Sequence, residues 1–170
     1  VGLVDENGRY ISTLEGFSLL THHLLERRRQ LGTVVSTITM SSMVDRLGEV
    51  YGIDTPRTAV GFKYVGPKML ETNAIIGGEE SGGYAFRGHV PERDGLLSGL
   101  IFLEAMVSSR KRPSELLTEL LTITGPHNFR RVDVQFPEDQ RSALESLIET
   151  AEPGTLSGIE IERSDRLDGV

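Results

Sequence analysis

Apolar residues at Leu14, Phe17, Leu20, Leu24 and Leu25 recur with helical period, and Ser12-Thr13-Leu14-Glu15 has the spacing of a capping box. The pattern predicts a helix running to about Arg29. Ahead of it, Val1-Gly2-Leu3-Val4 and Arg9-Tyr10-Ile11 flank the turn residues Asp5-Glu6-Asn7-Gly8, which makes a strand hairpin. After Gly32, Thr33 to Thr39 is β-branched and strand-like. Met43, Val44, Leu47 and Val50 share one face of a second helix, with Ser41 or Ser42 as cap and Gly52 as stop. Ile53 to Val60 is a weaker strand that Pro56 sends to a sheet edge. Gly61 to Glu71 is a short helix that Gly66-Pro67 can interrupt. Ala74-Ile75-Ile76 and Tyr84 to Phe86 are strands on either side of a glycine-rich run. Asp94 caps the strongest helix, with Leu97, Leu100, Ile101, Glu104 and Val107 at helical spacing, and Pro113 opens another through Leu121 with Glu115 near its positive end.

Alternating strands and helices indicate an α/β fold, a three-layer domain with a mixed, mostly parallel sheet flanked by helices. From Ile123 the character changes. Gly125-Pro126-His127-Asn128 is a linker, Val132, Val134 and Phe136 alternate as a strand, Glu138 to Thr150 is an amphipathic helix, and Ile159 to Ile161 is a further strand. This tail is expected to be a partial second α/β unit. A chain that opens in mid-strand without a methionine is expected to be cut from something longer.

Composition narrows the partners. The 170 residues are 38% hydrophobic and 25% charged, with a net charge of −7. That balance argues against nucleic acid or an anionic membrane as partner. No apolar run approaches the roughly 18–20 residues of a membrane span, and no secretory signal pattern is evident. The absence of cysteine excludes disulfides and thiolate metal sites and fits a reducing compartment, so a cytoplasmic location is expected. The two basic runs, Arg27-Arg28-Arg29 and Arg110-Lys111-Arg112, are read as charges at helix ends.

The candidate chemistry centres on Gly77-Gly78-Glu79-Glu80-Ser81-Gly82-Gly83, two carboxylates and a hydroxyl between pairs of glycines. Neighbouring sugar hydroxyls are donors that one ionised carboxylate can accept together, and glycines allow a ligand close to the backbone. A glycine-rich hairpin with solvated acids fits the run equally well. A second segment, His89-Val90-Pro91-Glu92-Arg93-Asp94-Gly95, leads into a helix N-terminus that favours an anion, to which Arg93 and His89 could add contacts. The third, Gly61-Phe62-Lys63-Tyr64, puts a lysine at a helix start. Other constellations fail: no serine lies in a Gly-x-Ser-x-Gly elbow, and His22 and His23 point apart on their helix. Glu79 and Glu80, consecutive in extended chain, face opposite sides and make no glycosidase dyad.

In combination, Gly78-Glu79-Glu80-Ser81-Gly82, followed by Glu92-Arg93-Asp94-Gly95-Leu96 and preceded by Gly61-Phe62-Lys63, resembles the third domain of the α-D-phosphohexomutases. The resemblance implies an enzyme of four domains around one cleft, moving a phosphoryl group between the 1- and 6-positions of a hexose phosphate through a hexose 1,6-bisphosphate. It implies a phosphoserine and a Mg²⁺ loop in other domains, so no catalytic and no metal residue is expected in this chain. Residues 1–11 correspond to the end of domain two, 12–122 to domain three and 123–170 to a linker and the incomplete start of domain four. Glu79 and Ser81, with Gly78 and Gly82, are implied to bind the sugar hydroxyls, and Lys63, His89 and Arg93 to stand around the same cleft. The implied partners are the hexose phosphate and the remaining domains. Two positions depart from the family pattern: Gly83, where some members carry histidine, and Ser36, in a strand that often bears Lys or Arg. A non-enzymatic sugar or sugar-phosphate binding module is the alternative that the same residues would serve.

Overall fold

The computed structural model describes residues 1–128, 133–161 and 167–168, in two compact units, Val1–Phe129 and Arg130–Val170. The first opens with β1 (Leu3–Val4) and β2 (Tyr10–Ile11) paired antiparallel, their turn held by the Asp5 carboxylate, which accepts the Asn7 and Arg9 N–H groups. Helix α1 (Thr13–Glu26) begins at the expected capping box: the Ser12 hydroxyl accepts the Glu15 N–H, and the Glu15 carboxylate accepts the Ser12 N–H. It stops short of Arg29, which turns into the left-handed region at φ 53°.

Strand β3 (Val34–Thr37) is followed by α2 (Met43–Tyr51), β4 (Arg57–Thr58), α3 (Phe62–Thr72), β5 (Ile76–Gly78) and β6 (Tyr84–Phe86). The sheet order is β4-β3-β5-β6, with β3 parallel to both neighbours and β6 antiparallel. Pro56 accordingly precedes an edge strand. Helix α3 runs through Pro67 without a break, since a proline there forfeits a single bond near the helix start. Strand β5 starts later than Ala74-Ile75 suggested and takes Gly77 and Gly78 into the sheet.

Alternation along the strands sorts the core into two layers. Val34, Ile76, Tyr84 and Phe86 face α1, α2, α4 (Gly95–Ser109) and α5 (Pro113–Thr124), whereas Val35 and Ala85 face Phe62, Val65 and Met69 of α3. The buried side of α4 is Ser98, Ile101, Phe102 and Ala105. Leu100 and Val107, at helical spacing with Ile101, are 64% and 69% exposed, because this helix is apolar nearly all round and its periodicity does not single out one face. Val50 of α2 is likewise exposed.

The basic runs lie at helix ends and are ion-paired there. Arg28 binds Glu104, Arg27 and Lys111 meet Glu119, and Arg112 meets Glu115. Beneath them, burial pushes both His22 and His23 below the ordinary imidazole pKa, against the pull of Glu119 and Glu26 on His22 and of Glu104 on His23. Groups whose protonation is suppressed by folding contribute stability that is present above pH 6.5 and lost as the pH falls below it. Glu104, held down at about 2 by its bond to Arg28, adds its own loss only below about pH 4.5. We therefore expect the urea midpoint to fall between pH 7 and 5, and the fall to be shallower in His23→Gln. Identical slopes for the two proteins would rule out His23 as a source.

The second unit holds a 3₁₀ turn (Glu138–Gln140), α6 (Arg141–Thr150) and the hairpin β7 (Thr155–Leu156) and β8 (Ile159–Glu160), turned through Ser157 and Gly158 at φ 51° and 82°. Residues 133–137 form no strand, contrary to the alternation of Val134 and Phe136; among the described residues of this unit β7 and β8 pair with each other. Val132 lies outside the described residues, as do Gly169 and Val170. The expected strand to Ile161 ends at Glu160.

Candidate functional site

In a sheet of order β4-β3-β5, the chain leaves β3 on one side by α2 and returns on the other by α3, which lie on opposite faces. Such a reversal opens a crevice beyond the carboxyl ends of the two central strands, where open α/β sheets bind ligands. Here those ends are Thr37 with the following Ile38 and Thr39 at β3, and residues 79–83 after β5.

The 79–83 connection is a hairpin, closed by Glu79 N–H to Gly83 carbonyl at 3.1 Å and Gly82 N–H to Glu79 carbonyl at 3.0 Å. Gly82 has φ 90°, and a Cβ there would crowd Thr13 and Val1. Gly78 serves the fold: its missing Cβ would lie 2.5 Å from the Phe17 ring. Yet the first acid of this hairpin is not solvated. Glu79 is 6% exposed, and its Oε1 accepts from the Ser81 hydroxyl at 2.8 Å and from Arg93 Nη1 at 3.1 Å. Glu80 points the other way and binds the hydroxyls of Thr37 and Thr39, which ties the loop to the end of β3. The two carboxylates thus diverge as their adjacency in the chain requires.

Arg93 completes the cluster. Its Nε donates to Glu92 at 2.9 Å, and its guanidinium carbon stands 5.6 Å from the centre of the Phe62 ring. Lys63 is exposed beside Phe62, with its ammonium 4.9 Å from the centre of the Tyr64 ring and no contact to Glu79. His89 is tied to Asp94, Nε2 to Oδ2 at 2.9 Å, and lines a small hollow against the end of α3 together with Met69, Asn73 and Pro91. The structure therefore joins Glu79, Ser81 and Arg93 directly, whereas Lys63 stands at the start of α3 and His89 against its far end. The positive end of α4 is filled by its own carboxylate: Asp94 Oδ1 accepts the Leu97 N–H at 2.9 Å, the bond that chiefly holds the Asp94 pKa below its usual range. Ser36 is fully buried on the Phe17 side of β3, so its position lies inside the fold rather than in the crevice. Sequence reading missed Thr37, Thr39 and Phe62. The Thr-Ile-Thr run at the end of a parallel strand was the available signal.

Among the described residues no three His, Asp or Glu side chains gather as a metal site. No helix among them is long and apolar enough to cross a membrane.

The fold and this loop define an α/β/α domain with a polar, carboxylate-bearing hairpin at the carboxyl ends of its central strands. Residues 15–123 match the family described as phosphoglucomutase/phosphomannomutase, alpha/beta/alpha domain III. The chain is 33% identical over 162 residues to a phosphoglucomutase/phosphomannomutase of Thermococcus kodakarensis, covering 95% of this chain and 34% of that protein. It is 35% identical over 117 residues to a phosphoglucosamine mutase of Acetivibrio thermocellus, covering 66% of this chain and 25% of the relative. A crystal structure of a putative phosphomannomutase from Thermus thermophilus superposes with a TM-score of 0.70 at 34% identity, over 73% of this chain and 28% of the other. The chain belongs to the α-D-phosphohexomutase family and carries its third domain. It spans about a third of the length of the curated relatives it matches.

Proposed function

We propose that this chain supplies the sugar-recognition surface of a phosphohexomutase that interconverts hexose 1-phosphate and hexose 6-phosphate. The observation that carries the reading is Glu79, a carboxylate just beyond the carboxyl end of β5 with both of its protein partners on one oxygen. An ionised carboxylate with an oxygen to spare is the acceptor that vicinal hydroxyls require. Ser81, exposed at the loop tip, adds a hydroxyl next to it. Phosphoryl transfer depends on positioning and charge stabilisation, so a domain that orients the sugar contributes without touching the transferred group. The phosphoserine, the Mg²⁺ ligands and the grip on the substrate phosphate come from other domains of the enzyme, and the 170-residue chain alone is inactive. Mutase turnover by the pure chain would overturn that last point.

The test is a titration of glucose 1-phosphate into the isotope-labelled chain and into Glu79→Ala. Shifts are expected at 77–83 and 92–95 in the first protein and their loss in the second. Equal responses from both proteins, or none from either, would remove the sugar site.

A further inference from the structure

Gly83 and Arg93 act as one device. The backbone of Gly83 lies outside the left-handed region, so conformation does not demand glycine there. Space does. A Cβ on residue 83 would lie 2.4 Å from Arg93 Cδ, 2.7 Å from Arg93 Cγ and 3.3 Å from Glu79 Oε1. The aliphatic stem of Arg93 therefore crosses the bare Cα of Gly83, and along that path its guanidinium reaches Glu79 while also meeting Glu92 and the Phe62 ring. The cation is the outer member of the pair, with its side chain 52% exposed against 8% for Glu79. Ser81 and Arg93 both bond Oε1, which fixes the rotation of the carboxylate, and Oε2 takes no bond from any described residue.

We propose that Arg93 is a positioning residue that holds Glu79 with Oε2 turned to the ligand, and that Gly83 is the position that admits it. Any side chain at 83 displaces the arginine and releases the carboxylate. Resting on the sugar-recognition reading, this gives Arg93 its effect on hydroxyl recognition through Glu79 and not through the substrate phosphate.

Two measurements on the full chain decide it. In the first, the Glu79 carboxyl-carbon and Arg93 Nε resonances are followed without ligand in the unsubstituted chain, Gly83→Ala, Arg93→Met, Arg93→Lys and the Gly83→Ala/Arg93→Met double variant. Gly83→Ala and Arg93→Met are expected to move the Glu79 signal in the same direction, the double variant no further than Arg93→Met, and Arg93→Lys to recover part of the shift. Unmoved signals in Gly83→Ala, or additive shifts in the double variant, would overturn the pairing. Should Gly83→Ala lose amide dispersion, a Glu79 signal that is the same in Arg93→Lys and Arg93→Met counts against it instead, and partial recovery by lysine supports it. In the second, methyl α-glucoside and glucose 1-phosphate are titrated. A positioning role weakens both by a similar factor, about tenfold, in Arg93→Met. Loss confined to glucose 1-phosphate would make Arg93 a phosphate ligand and overturn the proposal. A silent unsubstituted chain would count against the sugar reading, while the resonance measurement still decides the pairing.

Discussion

Gly78→Ala is expected to destabilise the Val1–Phe129 unit by about 3 kcal/mol, at the upper end of what overpacking a close-packed core costs. The added methyl would stand 2.5 and 2.6 Å from two carbons of the Phe17 ring and 3.0 Å from the Tyr84 ring. Neither ring can retreat. Phe17 and Tyr84 are 0% and 1% exposed and pack on each other with centroids 5.4 Å apart, and the Tyr84 hydroxyl donates to the Thr13 carbonyl at 2.6 Å. The strand must then shift, and Glu79 is the next residue along it. Urea unfolding of Gly78→Ala, Phe17→Leu and the double variant checks this. Phe17→Leu is expected to cost less in the Gly78→Ala background than alone, because the smaller side chain relieves the collision. Strict additivity would place the strain elsewhere.

Arg57→Met is expected to cost about 2–3 kcal/mol, since three carbonyls lose a charged donor in a half-buried place. Arg57 Nη1 donates to the carbonyls of Thr37 and Met40 at 3.2 and 2.9 Å, and Nη2 to that of Ser41 at 3.2 Å and to Asp45. One edge-strand side chain thus pins the turn that follows β3, the same turn whose Thr39 hydroxyl binds Glu80. Hydrogen exchange should accelerate across residues 38–42. Arg46→Met is the control, because the Arg46–Glu49 pair is an exposed contact one helical turn apart. A loss of stability no larger in Arg57→Met than in Arg46→Met would show that the turn stands without its clamp.

The elements most legible in the sequence were those specified by local chemistry. Ser12 and Glu15 start α1, Gly52 ends α2 in the left-handed region at φ 65°, Pro56 marks an edge, and Asp94 caps α4. What escaped was set by contacts distant along the chain. The inward face of α4 cannot be read from a helix that is apolar on every side, and no local signal says that Phe17 and Met69 press on Gly78 and Gly77. The glycine run could be read as a hairpin or as a polar site; it is a hairpin in form, and its buried Glu79 is bonded by Arg93, fourteen residues away. Thr37 and Thr39 were invisible as partners of Glu80, because only the register of β3 beside β5 brings them together.

The 79–83 loop is anchored from three directions: Glu80 to the end of β3, its own carbonyl to the Thr13 hydroxyl on α1, and Glu79 to Arg93 before α4. A loop so tethered has little motion left to lose when a ligand arrives. Association at this surface should carry a small entropic penalty from the protein, and cutting one tether should raise that penalty while leaving the contact enthalpy nearly unchanged. Calorimetry would read the tethers as preorganisation, separate from the groups that touch the ligand.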